Sequence, residues 1–303
     1  METLDELRNW AYKLKELNTI DSSDAEVKSL LGQLGSTNIF TAQVKMGSTV
    51  IRARTELDFD NSNQILFENQ LSYRQDLNNV RRGRCNLNKE AAFYGVLMTE
   101  QNKLKAKDRL TCFSEVSKIK VLEEGTQGVE YTTTGIWRVT EPFEVFAFTH
   151  HESLSNAHEL TAEMKREFAR LASEDDTIDK EKSTFFQEFF SEIFGDPDSS
   201  YKISSCISSL LFSLGCKGIL YPSVQTKGLG LNLALPPSTV INHLRISSAL
   251  VEKVHKVGKK VVADPFLECY EVNQTDKGNK FVWTEGHAAG KAGLEYLLKP
   301  DKE

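Results

Sequence analysis

Two arginines one residue apart, Arg52 and Arg54 in Val50-Ile51-Arg52-Ala53-Arg54, carry the first side chains with evident chemistry. Successive residues of an extended strand face opposite ways, so both guanidinia share one face while Ile51 and Ala53 share the other. Such a pair is either a solvated strand edge or a fork that grips a diphosphate through paired N–H donors. The basic turn Arg81-Arg82-Gly83-Arg84 offers the same two readings. Tyr94 follows on an apolar stretch, Glu115 interrupts Phe113-Ser114-Glu115-Val116, and Ser223 comes after Tyr221-Pro222. None of these side chains names a reaction alone.

Other chemistry is sparse. No phosphate-binding G-x-x-x-x-G-K-[ST] loop, zinc-type H-E-x-x-H helix or G-x-S-x-G elbow occurs. Gly228-Leu229-Gly230 fits a tight turn between strands as well as it fits a phosphate loop. His150 and His151 are adjacent, which on a strand sends them to opposite faces and favours a solvated pair over a metal site. The five cysteines, Cys85, Cys112, Cys206, Cys216 and Cys269, form no C-x-x-C pair and read as reduced thiols of a cytosolic protein.

The elements that must position these groups follow from periodicity. Leu4, Leu7, Ala11, Leu14 and Leu17 keep helical spacing behind a Thr3/Glu6 capping pattern. Ser23 and Glu26 repeat the device before Val27, Leu30, Leu31 and Leu34, so residues 1–38 predict an αα-hairpin. Strand chemistry runs over Ile39–Val44 and Thr49–Thr55, and residues 56–80 predict a long irregular loop. Ala92–Met98 reads as a strand, and Leu110–Lys120 as an ordered segment. Val129–Tyr131 and Ile136–Val139 flank Thr and Gly residues as a hairpin would. Helices are expected over Leu154–Leu171, over Thr184–Phe194 with its five Phe, and over Tyr201–Leu214. Strands return at Gly218–Ser223 and Leu231–Leu235, with Ser238 capping a short helix. Mixed strand segments cover Val240–Val254 and Lys259–Val272, and Gly286–Leu298 is weakly helical. Strands scattered among helices without a βαβ rhythm predict an α+β domain over residues 39–303 behind the helical hairpin.

Composition narrows the function classes. The 303 residues include 37 Lys+Arg and 43 Asp+Glu, for a net charge of −6. That balance disfavours a general nucleic-acid binder, which needs clustered cations. The start at Met1–Glu6 is acidic and lacks a signal-peptide pattern, and no apolar run reaches the ~18 residues of a membrane helix. A soluble cytoplasmic protein is expected, with no membrane or nucleic-acid partner.

Taken in order, Val50–Arg54, Gly83-Arg84-Cys85-Asn86, Phe93-Tyr94-Gly95, Ser114-Glu115-Val116 and Gly218–Ser223 resemble the RES domain family, named for an Arg, a Glu and a Ser. The resemblance spans about residues 45–240, and Gly218–Ser223 followed by Asn232-Leu233-Ala234-Leu235 is its most specific part. It implies an ADP-ribosyltransferase-like mixed β core and consumption of NAD+ as substrate, with no metal and no further cofactor. Because bacterial members are toxins of RES–Xre toxin–antitoxin systems, it also implies a neutralising antitoxin partner.

Position by position, Arg52, Glu115 and Ser223 correspond to the naming residues. Arg84 and Asn86 sit in the family's Gly-Arg-x-Asn turn and Tyr94 matches its strand tyrosine; with Arg54 they are the candidate dinucleotide contacts. Cys85 stands where the family commonly has Trp or Phe. Thr99–Arg109 lengthens the approach to Glu115 and makes Glu100 a rival acid, as Arg54 rivals Arg52. The implied reaction cleaves the nicotinamide–ribose bond through an oxocarbenium-like centre, with water or phosphate as acceptor. ADP-ribosyl transfer onto a protein and a catalytically silent binding module are the alternatives.

Overall fold

The structure is a computed structural model that describes residues 3–18, 22–34, 40–56, 65–98, 106–121, 127–154, 157–174, 179–197, 200–257, 260–276, 278–285 and 294–297. Helices α1 (Leu4–Glu16) and α2 (Asp24–Leu31) each start at a reciprocal capping box, Thr3 with Glu6 and Ser23 with Glu26. Each box satisfies N–H groups that have no partner inside the helix, worth about 1 kcal/mol. The expected helical hairpin is therefore present.

Next come β1 (Thr41–Val44), β2 (Thr49–Glu56), α3 (Glu68–Leu71), β3 (Phe93–Leu97), α4 (Ala106–Val116), β4 (Gly128–Val139) and β5 (Phe143–Ala147). Helices α5 (Glu159–Glu174), α6 (Lys180–Gly195) and α7 (Lys202–Ser213) precede β6 (Ile219–Pro222), β7 (Leu231–Leu235) and α8 (Pro237–His243). The chain continues through β8 (Leu244–Val257), β9 (Lys260–Thr275), β10 (Gly278–Glu285) and β11 (Leu294–Leu297). The class is α+β, as expected.

The chain packs as two compact units, each assembled from three stretches. Met1–Lys45, Arg74–Tyr94 and Pro142–His243 form the first; Met46–Tyr73, Gly95–Glu141 and Leu244–Glu303 form the second. The expected division between residues 38 and 39 falls inside the first unit. Its cause is packing: Leu7, Trp10, Ala11 and Leu14 of α1 share a core with Phe186, Phe189, Phe190 and Phe194 of α6. Trp10 sits 5.5 Å from the Phe189 ring and donates its indole N–H to Leu30 O at 2.8 Å, which ties α1 to both α6 and α2. The strand order of this unit is β1–β5–β6–β7, with β5 and β6 parallel and the outer pairs antiparallel.

In the second unit β2 lies between β3 and β4, and β4, β8, β9 and β10 follow in an antiparallel series, with β11 also on β9. Alternation along β2 sends Ile51 and Ala53 to a face covered by α4, where they meet Val96, Met98 and Cys112. Thr55 confirms that side, since its hydroxyl donates to Val116 O at 2.9 Å.

Several expectations change. Val129–Tyr131 and Ile136–Val139 are not two arms of a hairpin: they belong to one continuous strand, β4, paired on both edges by β2 and β8. Thr132–Gly135 resembled a turn in composition, but β-branched Thr packs well inside a strand. Where a long irregular loop was expected over residues 56–80, the described residues include α3 and a 3-10 turn at Leu77–Asn79. The helix expected from Leu154 begins at Glu159. Residues 240–243 close α8 before β8 starts. Within the weakly helical stretch Gly286–Leu298, Leu294–Leu297 is a strand on β9, and the rest lies outside the described residues. Among the described residues no helix is long and apolar enough to cross a membrane.

Candidate functional site

The Gly83–Asn86 turn, in the first unit, is held from within. Tyr94 reaches it from the start of β3, donating its phenol to Asn86 Oδ1 at 2.7 Å and accepting the Cys85 N–H at 2.7 Å. Asn86, itself buried, donates to Arg81 O at 2.9 Å and Leu87 O at 2.8 Å. Gly83 admits this arrangement, because a Cβ there would lie 2.7 Å from Asn86 Oδ1 and 2.8 Å from the Tyr94 oxygen. Asn86 and Tyr94, both candidate dinucleotide contacts, brace the turn through these hydrogen bonds. Cys85 is fully enclosed behind it, and burial pushes its thiol up to about 12, which disfavours the thiolate.

Arg84 leaves the same turn toward the end of α6. Its Nη1 donates to Phe194 O at 2.5 Å and Asp196 O at 3.1 Å, where a helix C-terminus presents carbonyls that favour a cation. The guanidinium lies 4.9 Å from the Tyr201 ring centre and 6.0 Å from that of Tyr221. Tyr201 adopts a left-handed backbone, φ +60°, at the entrance to α7, a conformation that a bulky residue holds only when its surroundings impose it. The hydrogen bonds to described residues use Nη1 alone, which leaves the remainder of the planar fork suited to an anion.

Ser223 directly follows β6 and is completely buried. Its N–H donates to Gly230 O at 2.9 Å, its carbonyl accepts Gly228 N–H at 2.7 Å, and its hydroxyl accepts Thr226 N–H at 3.3 Å. The residue thus organises the loop that leaves the strand. Gly228 is required there: its φ is +82°, and a Cβ would stand 2.0 Å from Leu154 O. The glycine pair is therefore a tight turn pressed on the loop after β5. Parallel pairing of β5 and β6 sends that loop, with His150 and His151, out at the same end as Ser223.

The histidines are not a solvated pair. His150 packs edge-on to Phe168 at 4.8 Å, and burial, aided by Lys165, lowers it to about 4. His151 lies against Gly195, where a Cβ would come 2.1 Å from its ring, and burial lowers its pKa as well.

In the second unit Arg52 and Arg54 are half-buried on one face of β2, as alternation required. Arg54 donates to Ser72 O at 3.3 Å, and Gly135, directly opposite Arg52, faces Leu71 of α3. Glu115 is exposed and belongs to α4, which covers the other face. Arg52 and Glu115 therefore leave the sheet from opposite sides. Both charges act at a distance on Cys112, whose thiol burial raises to about 12 while Arg52 pulls it down and Glu115 pushes it up. Glu115 also acts on Lys120, whose ammonium is lowered chiefly by burial. Beneath α4, Arg109 pairs with buried Glu252 beside a cavity of about 10 Å3 lined also by Cys112, Thr132 and Thr134. Such a space holds no more than about one water.

The structure thus gathers Arg84, Asn86, Tyr94 and the strand that leads to Ser223 within the first unit, whereas Arg52, Arg54 and Glu115 belong to the second. Glu100 lies outside the described residues. Sequence reasoning missed Tyr201 and the carbonyls of Phe194 and Asp196 as partners of Arg84, and it read the histidines as solvated. The helix-breaking run Gly195-Asp196-Pro197 is a usable signal for the first, since a helix end favours a cation. Among the described residues no group of three His, Cys, Asp or Glu could hold a metal ion.

No family model matches the chain, and no curated protein matches it, so the RES resemblance rests on the motif residues themselves. Among solved structures, a chain of the M. tuberculosis MbcT-MbcA toxin-antitoxin complex aligns with 68% of this chain and 85% of its own length. The identity is 13% and the TM-score 0.29, a level that does not bear on function.

Proposed function

We propose that the protein is an NAD+-consuming enzyme of the RES type that breaks the nicotinamide–ribose bond with water or phosphate as acceptor. The observation that carries this reading is the meeting of distant motif stretches in the first unit: the Gly83–Asn86 turn, Tyr94, and the Tyr221–Ser223 strand end, with Arg84 stacked on Tyr201 and near Tyr221. Arg84 suits one phosphate of the diphosphate, and the neighbouring rings suit a planar base. Arg52 is the candidate for further charge complementarity. Glu115 is the candidate for stabilising the positive ribose carbon.

In the reaction the C–N bond electrons go to the pyridinium nitrogen and release neutral nicotinamide. Water adding to the ribose carbon gives ADP-ribose and a proton; phosphate gives the ADP-ribose phosphate ester. Because the leaving group is already cationic, orientation and charge do most of the work and no strong acid is needed. Purified protein with NAD+, with and without phosphate, tests this by nicotinamide release. Release without phosphate means hydrolysis, strict dependence on phosphate means phosphorolysis, and label on protein means ADP-ribosyl transfer.

The placement of Arg52 and Glu115 on opposite sides of the sheet favours a second reading, a nucleotide-binding module without turnover. NAD+ binding with no release under any condition would select it. A neutralising protein partner belongs to the first reading, and co-purification with proteins encoded beside this chain checks it.

A further inference from the structure

Asn18, Ser22 and Asp24, at the facing ends of α1 and α2, grip the two segments that flank Arg84. Both carboxylate oxygens of Asp24 accept from Arg82 Nη2, at 2.6 and 2.7 Å, in a half-buried pair. Arg82 Nη1 continues to Ser205 Oγ at 3.0 Å on α7. Lys202, buried at 8% exposure, donates from Nζ to Ser22 O at 2.5 Å and Ser22 Oγ at 3.0 Å. Ser200 Oγ donates to Asn18 Oδ1 at 2.8 Å. Arg82 is two residues from Arg84, and Ser200 and Lys202 bracket Tyr201, whose backbone is left-handed and whose ring lies under the Arg84 guanidinium. Apolar packing of α1 and α2 would seat the hairpin without any of these polar ties. Charge-assisted bonds among partly buried groups are strong and directional, so they fix position more than they add stability.

We propose that the N-terminal hairpin is a positioning clamp for Arg84, with Asp24 acting through Arg82 and Ser22 acting through Lys202. Asp24 and Ser22 touch no substrate in this scheme; they hold the turn and the Tyr201 entrance in register. The kinetic consequence rests on the proposed NAD+ reaction, whereas the conformational consequence does not.

The test compares the full chain with Asp24→Asn, Arg82→Gln and the double variant. The first readout is the Arg84 Nε–H resonance, assigned by its loss in Arg84→Lys. Asp24→Asn should shift it and speed its solvent exchange at least fivefold. The second readout is NAD+ kinetics, where KM should rise at least fivefold with kcat changed less than twofold. The double variant should be no worse than Arg82→Gln alone, since Asp24 acts through Arg82. An Arg84 resonance and KM unchanged in folded Asp24→Asn, whatever its melting temperature, would overturn the clamp. If Asp24→Asn does not fold, Asp24→Glu is read in the same way. A wild-type protein that neither binds nor cleaves NAD+ would overturn the proposed function instead, and the resonance would then decide the clamp alone.

Discussion

Tyr94 illustrates what a residue type reveals and what it conceals. Its place in the motif was legible in the sequence, but its partners were not, because hydrogen bonds to Asn86 and to the Cys85 N–H depend on a turn geometry that no spacing rule encodes. Removing the hydroxyl leaves two enclosed polar groups without that partner, a loss of about 1–3 kcal/mol. Tyr94→Phe should therefore lower the urea midpoint, and an unchanged midpoint would show that the brace is dispensable. His150 was misread for a related reason: its neighbours Phe168 and Lys165 of α5 and Gln187 of α6 are brought to it by packing that spacing alone does not encode. With its pKa held near 4 instead of 6.5, the native imidazole stays neutral while the unfolded chain takes up a proton. The contribution of His150 to stability is thus complete above about pH 6.5 and is lost as pH falls toward 4. His150→Phe should flatten that part of the stability curve in urea titrations at stepped pH, and an unaltered slope would remove His150 as the cause.

Among elements, the helices were the most legible, since capping boxes at Thr3 and Ser23 and the apolar stripe of α6 are local signals. Strand pairing was not, because it is decided by partners far away. Thr132–Gly135 looked like a turn until β2 and β8 claimed both edges of β4. Gly228 is the position where an element depends most sharply on one residue. Any side chain there meets Leu154 O and must also hold φ +82°. Gly228→Ala should destabilise the protein by more than about 1 kcal/mol. Because the same loop is tied to Ser223, nicotinamide release should fall further than the lost stability explains. Activity that merely tracks the folded fraction would separate the loop from the reaction.

At the level of the whole molecule, the two units exchange the chain repeatedly, with Tyr94 ending one stretch of the first and Gly95 opening one of the second. A linear reading sees only a helical prefix and a body, since neither unit is continuous and no linker composition marks the joins. The naming residues are divided in the same way, Ser223 in the first unit and Arg52 and Glu115 in the second. The account stands or falls on whether these dispersed groups serve one reaction. The most direct measurement is nicotinamide release from NAD+ by wild type, Arg52→Ala and Glu115→Ala at equal folded concentration. The account predicts release by wild type and at least a tenfold loss in each variant, about 1.4 kcal/mol of transition-state stabilisation or more. Wild-type release that survives both substitutions undiminished, or no release with and without phosphate, would contradict it.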